Sequence, residues 1–297
     1  MNLSVNIAGV KFANPVTVAS GTFSDAWDMK NIKQLGALIP KTVMLNAQAG
    51  NPPPRIVETP SGMVNAIGIE NDGIDAFITQ KLPIYAKMGV PVIVSISGKT
   101  DEEFVIMAQK LNACPSVALI ELNLSCPNLK HKMLVAQDAE ATARIVALVK
   151  KVVNKPIIAK LSPNVTSIAD IASAAEQAGA DAVSMVNTFQ AMVIDVEKQK
   201  SKIGNFTGGL SGPAIRPIAV NMVYQTAQKI KIPIIGMGGI ANADDALQFI
   251  MAGATMVAVG TMSFIEPDTA LQVLNGIKAY MRAKKINDIR ALIGFLK

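Results

Sequence analysis

The sequence predicts an α/β fold, a (β/α)8 TIM barrel, and three observations carry that prediction. Eight short β-branched runs alternate with longer helix-compatible stretches. The runs are nearly all apolar rather than alternating, as in parallel strands covered on both faces. Polar residues gather where the runs finish, which is where barrels place their sites.

Residues 3–12 precede the first repeat and read as a β-hairpin with Gly9 at its turn, expected to close the bottom of the barrel. Candidate strands follow at 16–19, 37–42, 92–95, 118–122, 157–160, 182–186, 232–235 and 256–259. Helical patterns occupy 101–111, 138–153, 167–178, 214–230 and 243–252. Two connections, 44–73 and 187–212, exceed the two to six residues usual for β/α loops and are expected to be functional. Each follows a strand and so belongs at the C-terminal face. No low-complexity segment or composition break divides the chain, so 1–297 is expected to form a single domain.

Half of the 297 residues are apolar and 17% are charged, which excludes the composition of a disordered chain. No apolar run approaches the roughly 18 residues of a membrane helix. The opening M-N-L-S-V-N-I-A-G-V lacks the pattern of a signal peptide, and a cytoplasmic location is expected. The net charge of +6 is spread along the chain, too diffuse for a nucleic-acid footprint but suited to anionic small molecules. Two cysteines, Cys114 and Cys126, and one histidine, His131, cannot build a Cys/His zinc cage or supply four thiolates to an iron–sulfur cluster. Any such cluster must belong to another chain. His131, Trp27 and the fifteen methionines receive no functional role.

The candidate strands end in Ser20, Lys41, Ser95, Asn123, Lys160, Asn187 with Thr188, Gly238 with Gly239, and Gly260 with Thr261. A lysine at the end of a buried strand either snorkels to solvent or is met by an anion or electron-rich ligand; two of them favour the ligand. The last two strands run into I-P-I-I-G-M-G-G-I and M-V-A-V-G-T-M, where glycine lets backbone N–H groups approach a phosphate or simply permits a tight turn. Gly236 to Ala241 also fits G-x-G-x-x-A, but the acidic residue of a dinucleotide site is missing about 20 residues on, where Val259, Gly260 and Thr261 stand. A mononucleotide phosphate cradle explains the glycines better. In E-L-N-L-S-C-P-N, Cys126 follows the fourth strand on a loop between Asn123 and Asn128. It is either a passive small hydrophobe or a base or nucleophile beside carboxamides suited to a polar, planar ligand. Cys114 falls in a helix-to-strand turn on the other side of the barrel and is taken as structural.

Six motifs resemble class 1 dihydroorotate dehydrogenases, and most closely the 1B branch: residues 50–71 (G-N-P-P-P-R-I-V-E-T-P-S-G-M-V-N-A-I-G-I-E-N), N-L-S-C-P-N, A-K-L-S-P-N, N-T, G-G-L-S-G-P-A and G-M-G-G-I. The resemblance runs from Val5 to about Phe264. It implies FMN at the barrel mouth and oxidation of dihydroorotate to orotate in pyrimidine synthesis, with Cys126 as the base that removes the C5 proton. It implies Lys160 beside the flavin, and Lys41, Asn65, Ala66, Ile67, Gly68, Ile69, Asn123, Asn128, Asn187 and Thr188 around the substrate. Ser20, Lys41, Thr42, Ser95, Asn123, Val186, Gly212, Gly238, Gly239, Gly260 and Thr261 would hold FMN, the last four around its phosphate. Two departures from the family pattern stand out: Ser95 replaces an asparagine beside the flavin, and the loop after Asn128 reads L-K-H-K-M-L-V-A-Q-D without glycines.

The 1B resemblance further implies a partner subunit carrying FAD and [2Fe–2S] that passes electrons to NAD, and a homodimer of this chain within a heterotetramer. Three other readings compete. One is a 1A-like enzyme that uses fumarate without a partner. Another is an aldolase-type barrel with Lys160 as a Schiff-base lysine. The third is a ligand-binding barrel that has lost turnover.

Overall fold

The computed structural model describes residues 1–23, 32–125 and 135–296. The chain opens with a hairpin of β1 (Val5–Ile7) and β2 (Val10–Phe12), in antiparallel register Val5 to Phe12. Ala8 and Gly9 both take positive φ, the geometry of a tight two-residue hairpin turn. The hairpin buries Val5, Ile7 and Phe12 in the main core and leads directly into the N-terminal end of β3 (Val16–Val18).

After β3 come β4 (Ile56–Thr59), β5 (Gly62–Asn65), a helical segment over 74–86, and β6 (Val92–Ile96). Regular alternation then sets in: α1 (Asp101–Asn112), β7 (Val117–Asn123), α2 (Ala139–Lys150), β8 (Ile157–Lys160), α3 (Ile168–Gln177) and β9 (Ala182–Met185). The second long connection contributes β10 (Phe189–Ala191), β11 (Ile194–Asp195), β12 (Lys200–Ser201) and β13 (Gly208–Ser211). The barrel resumes with α4 (Arg216–Ala227), β14 (Ile234–Met237), α5 (Ala243–Ala252), β15 (Met256–Val259) and α6 (Thr269–Ala283). The helices start where side-chain oxygens meet orphan N–H groups: Thr100 accepts from Glu103, Asp138 from Glu140 and Ala141, Ser167 from Asp170, and Asn242 from Asp245.

Seven strands form one parallel sheet in the order β3-β15-β14-β9-β8-β7-β6. The expected second strand, 37–42, is not a continuous strand. Leu38 and Val43 form isolated parallel bridges to Val92 and Ile96, and between them Pro40 supplies no N–H to a ladder. The segment nevertheless fills the eighth position. It bonds β6 through Val43 N–H to Ser95 O, and it reaches β3 through Gly36 N–H to Val16 O and Thr17 Oγ1 to Ala37 O. Gly36 is required there, because a Cβ would fall 2.0 Å from the Asn14 carbonyl. The curled sheet and its helices make the (β/α)8 barrel, and β6, β8, β9, β14 and β15 are buried along their whole lengths.

The two long connections do not remain loops. β10, β13, β5 and β4 pair antiparallel into one sheet, with Gly209 opposite Asn65 and Ser211 opposite Met63. The connection after the second barrel position is thereby stitched to the one after β9. Arg55 ties the first of them together, donating to the carbonyls of Asn51 and Ala49 and to Glu70 Oε2. Among the described residues no helix is long and apolar enough to cross a membrane.

Candidate functional site

The strand ends and the accessory sheet enclose a cavity of about 550 Å³, within the usual range of ligand sites. Ser20, Lys41, Thr42, Asn123, Lys160, Val186, Asn187, Thr188, Gly238, Gly239, Gly260 and Thr261 line it from the barrel. Asn65, Ile67, Gly68 and Ile69 line it from the accessory sheet and the chain that follows it. Three expected residues are not among those that line it. Ser95 is fully buried and bonded to Thr42 rather than facing the cavity. Ala66 packs with Val64 and Ile203 in a small separate core. The carbonyl of Gly212 lies 2.7 Å from where a Cβ on Gly239 would be. Cys126 and Asn128 lie outside the described residues.

The wall near the mouth is held by a hydroxyl chain. Ser20 Oγ and Thr42 Oγ1 are 2.7 Å apart, Thr42 Oγ1 and Ser95 Oγ 3.0 Å, and Asn123 Nδ2 donates to Thr42 Oγ1 at 3.4 Å. Opposite, Asn187 Nδ2 donates to Ser125 Oγ at 2.7 Å, while its Oδ1 accepts from Thr188 N–H at 2.8 Å. Both carboxamides are thereby oriented before any ligand arrives. Thr188 sits directly on the backbone of Gly209, where a Cβ would fall 1.9 Å from Oγ1, so glycine at 209 lets the accessory sheet approach β9.

The glycine turns form the far end. Gly238 and Gly239 have φ of 128° and 77°, and a Cβ on Gly239 would meet Gly212 O, Arg216 Cβ and Arg216 N within 3.0 Å. Asp245 secures the turn that follows: Oδ2 accepts from Ala241 N–H at 2.9 Å, and Oδ1 pairs with Arg216 Nη1 at 2.5 Å. Thr261 Oγ1 and Ser211 Oγ are 2.8 Å apart across the turn after β15. Backbone freed of side chains on two neighbouring turns is the architecture that admits a phosphate.

Electrostatics set the character of the cavity. The Lys160 ammonium stands 3.7 Å from Glu121 Oε1, and both side chains are almost wholly buried. Lys41 is held below its ordinary 10.5 by burial first and by the Lys160 charge second, partly offset by Glu70. Among the described residues no cluster of His, Cys, Asp or Glu could hold a metal ion. The arrangement suits an anionic, planar, hydrogen-bonding ligand together with a phosphate.

Several lining residues received no role from the sequence: Ser125, Ser211, Glu70, Tyr85 and Phe264. Glu121, beneath the cavity, was also passed over. Strand alternation was the available signal, because Glu121 lies two residues before Asn123 and therefore shares its inward face.

Lys41→Met should raise the melting temperature at pH 7, because a buried ammonium is removed, while weakening the binding of anionic ligands. The folded-state pKa lies below the unfolded value, so the unfolded chain binds more protons between the two. Stability of the unsubstituted chain relative to the variant should therefore rise as pH climbs through that window towards 10.5. Thermal melts across pH test this, and a lower melting temperature for the variant at pH 7 would contradict it.

The family model for dihydroorotate dehydrogenase matches residues 2–281. The chain is 48% identical over 299 residues to the dihydroorotate dehydrogenase B (NAD(+)) catalytic subunit of Geotalea uraniireducens, covering 99% of this chain and 98% of that one. It is 49% identical over 301 residues to the protein of that name from Lachnoclostridium phytofermentans, covering 100% of each. With that from Caldicellulosiruptor saccharolyticus it shares 47% over 298 residues, 99% of each. The chain belongs to the dihydroorotate dehydrogenase family.

Proposed function

We propose that the chain is the FMN-binding catalytic subunit of a 1B-type dihydroorotate dehydrogenase, oxidising dihydroorotate to orotate for pyrimidine synthesis. The observation that carries the reading is one cavity joining a glycine cradle to a buried lysine, a half-buried lysine and oriented carboxamides. The residues present fit FMN. Gly238, Gly239, Gly260 and Thr261 offer backbone room for its phosphate, and Lys41, Lys160, Asn123 and Thr42 offer charge and hydrogen bonds to a ring system. When bound, FMN supplies a two-electron acceptor for the hydride from C6 of the substrate.

The protein's own groups do the rest. Lys160, at the cavity wall, would hold a positive charge beside the bound ring and so favour its reduction. Asn65, Asn123, Asn187 and Thr188 hold the substrate ring, and Lys41 meets its carboxylate. The chain from Ile67 to Ile69, with Phe264 and Tyr85, lines the same cavity. Cys126, next in sequence to the bonded Ser125, takes the C5 proton as a thiolate base. Asn128 follows on the same loop.

Cys126→Ser should leave FMN bound yet slow bleaching of the flavin by dihydroorotate by about 10² to 10⁴, the usual contribution of a positioned base. Cys114, whose Sγ lies 3.3 Å from the Lys110 carbonyl in a helix-to-strand turn, supplies the control. Equal stopped-flow rates for the two Cys→Ser variants would contradict the assignment.

Relatives named as NAD(+) catalytic subunits support an electron-transfer partner over direct use of fumarate. This chain would form a homodimer within a heterotetramer in the cytoplasm, with FAD and [2Fe–2S] on the partner. Dihydroorotate should reduce the isolated chain, NAD should reoxidise it only when that partner is added, and fumarate should not substitute. Rapid fumarate turnover by the chain alone would move it to the 1A-like reading.

A further inference from the structure

Lys160 has one carboxylate within ion-pair distance among the described residues, that of Glu121. Glu121 is fully buried in the barrel interior, a space that branched apolar side chains normally fill. Its Oε2 accepts a hydrogen bond from Ser184 Oγ at 2.7 Å. Its Oε1, 3.7 Å from Lys160 Nζ, is buried without a hydrogen-bond partner. An ionised group kept in such a place costs stability unless a charge answers it. Among the described residues, the charge within ion-pair distance of it is that of Lys160. The lysine in turn shares the cavity with a second ammonium, Lys41.

We propose that Glu121 is a positioning residue whose buried carboxylate anchors the Lys160 ammonium at the cavity wall, so that the lysine meets the flavin from a fixed position. The inference rests on the FMN reading above and adds to it the group that holds the lysine in place. Two effects compete when Glu121 becomes glutamine. Removing a negative charge would, by its direct field, make the flavin easier to reduce. Losing the anchor would let the Lys160 ammonium withdraw from the ring and make it harder. Geometry decides between them: Lys160 lines the cavity, whereas Glu121 lies behind it, and Coulomb interactions fall with distance. Loss of the nearer cation dominates.

The test is the midpoint potential of bound FMN in the unsubstituted holoenzyme, Glu121→Gln, Glu121→Asp and Lys160→Met. Glutamine keeps the size and can still accept from Ser184, so only the charge changes. The Glu121→Gln potential should move downward, in the same direction as Lys160→Met, and Glu121→Asp should lie between glutamine and the unsubstituted enzyme. A Glu121→Gln potential that is unchanged or raised would overturn the proposal. Should glutamine prevent folding, Glu121→Asp decides alone: a downward shift supports the proposal, and an unshifted value overturns it. Folded, unsubstituted chain that takes up no FMN would instead overturn the flavin reading, and this inference with it.

Discussion

Two ammonium groups converge on one buried cavity, and the rest of the site is arranged around that constraint. Lys41 comes from the segment that replaces a regular second strand, and Lys160 ends β8. Lys160 is buried and Lys41 half-buried, and the Lys160 charge works with burial to hold the Lys41 pKa down. One buried carboxylate, Glu121, offsets the pair from below. Glu70 partly offsets Lys41 at the cavity lining, and under the proposed function an anionic ligand would relieve the rest of the cost. A site that is destabilising when vacant and satisfied when filled is a common way for function to draw on stability.

The scaffold explains how such a cavity is held open. Parallel strands, buried on both faces, fix the spacing of their ends, and hydroxyls and carboxamides brace one another across those ends. The accessory sheet closes the top by pairing chain segments about 145 residues apart, with Gly209 opposite Asn65. It brings Asn65 and the chain from Ile67 to Ile69 over the lysines. Glycines at 36, 209 and 239 are needed for close backbone approach, at barrel closure, at the joint between sheet and barrel, and at the cradle.

Much of this was legible in the sequence because it followed from period and position. Unbroken apolar runs identified the buried strands, and polar residues at their ends identified the mouth. Pro40 explains why the second strand was overread: the apolar run 37–42 looked regular, but one missing N–H breaks its ladder. The pairing of β5 with β13 was not legible, since antiparallel contact between distant loops leaves no local period. Ser95 was read as a wall residue from its strand-end position, whereas the hydroxyl of Thr42 stands in front of it. Glu121 carries no motif of its own in the sequence, and only strand alternation with Asn123 marks it as facing inward.

The central claim is that this cavity is built for a flavin bearing a phosphate. Calorimetric titration of the folded, flavin-free chain with FMN and with riboflavin tests it most directly. One FMN should bind per chain, and riboflavin should bind at least about tenfold more weakly, because hydrogen bonds to a charged group contribute about 1.5–3 kcal/mol each. Equal affinities, or no binding of either by folded protein, would contradict it.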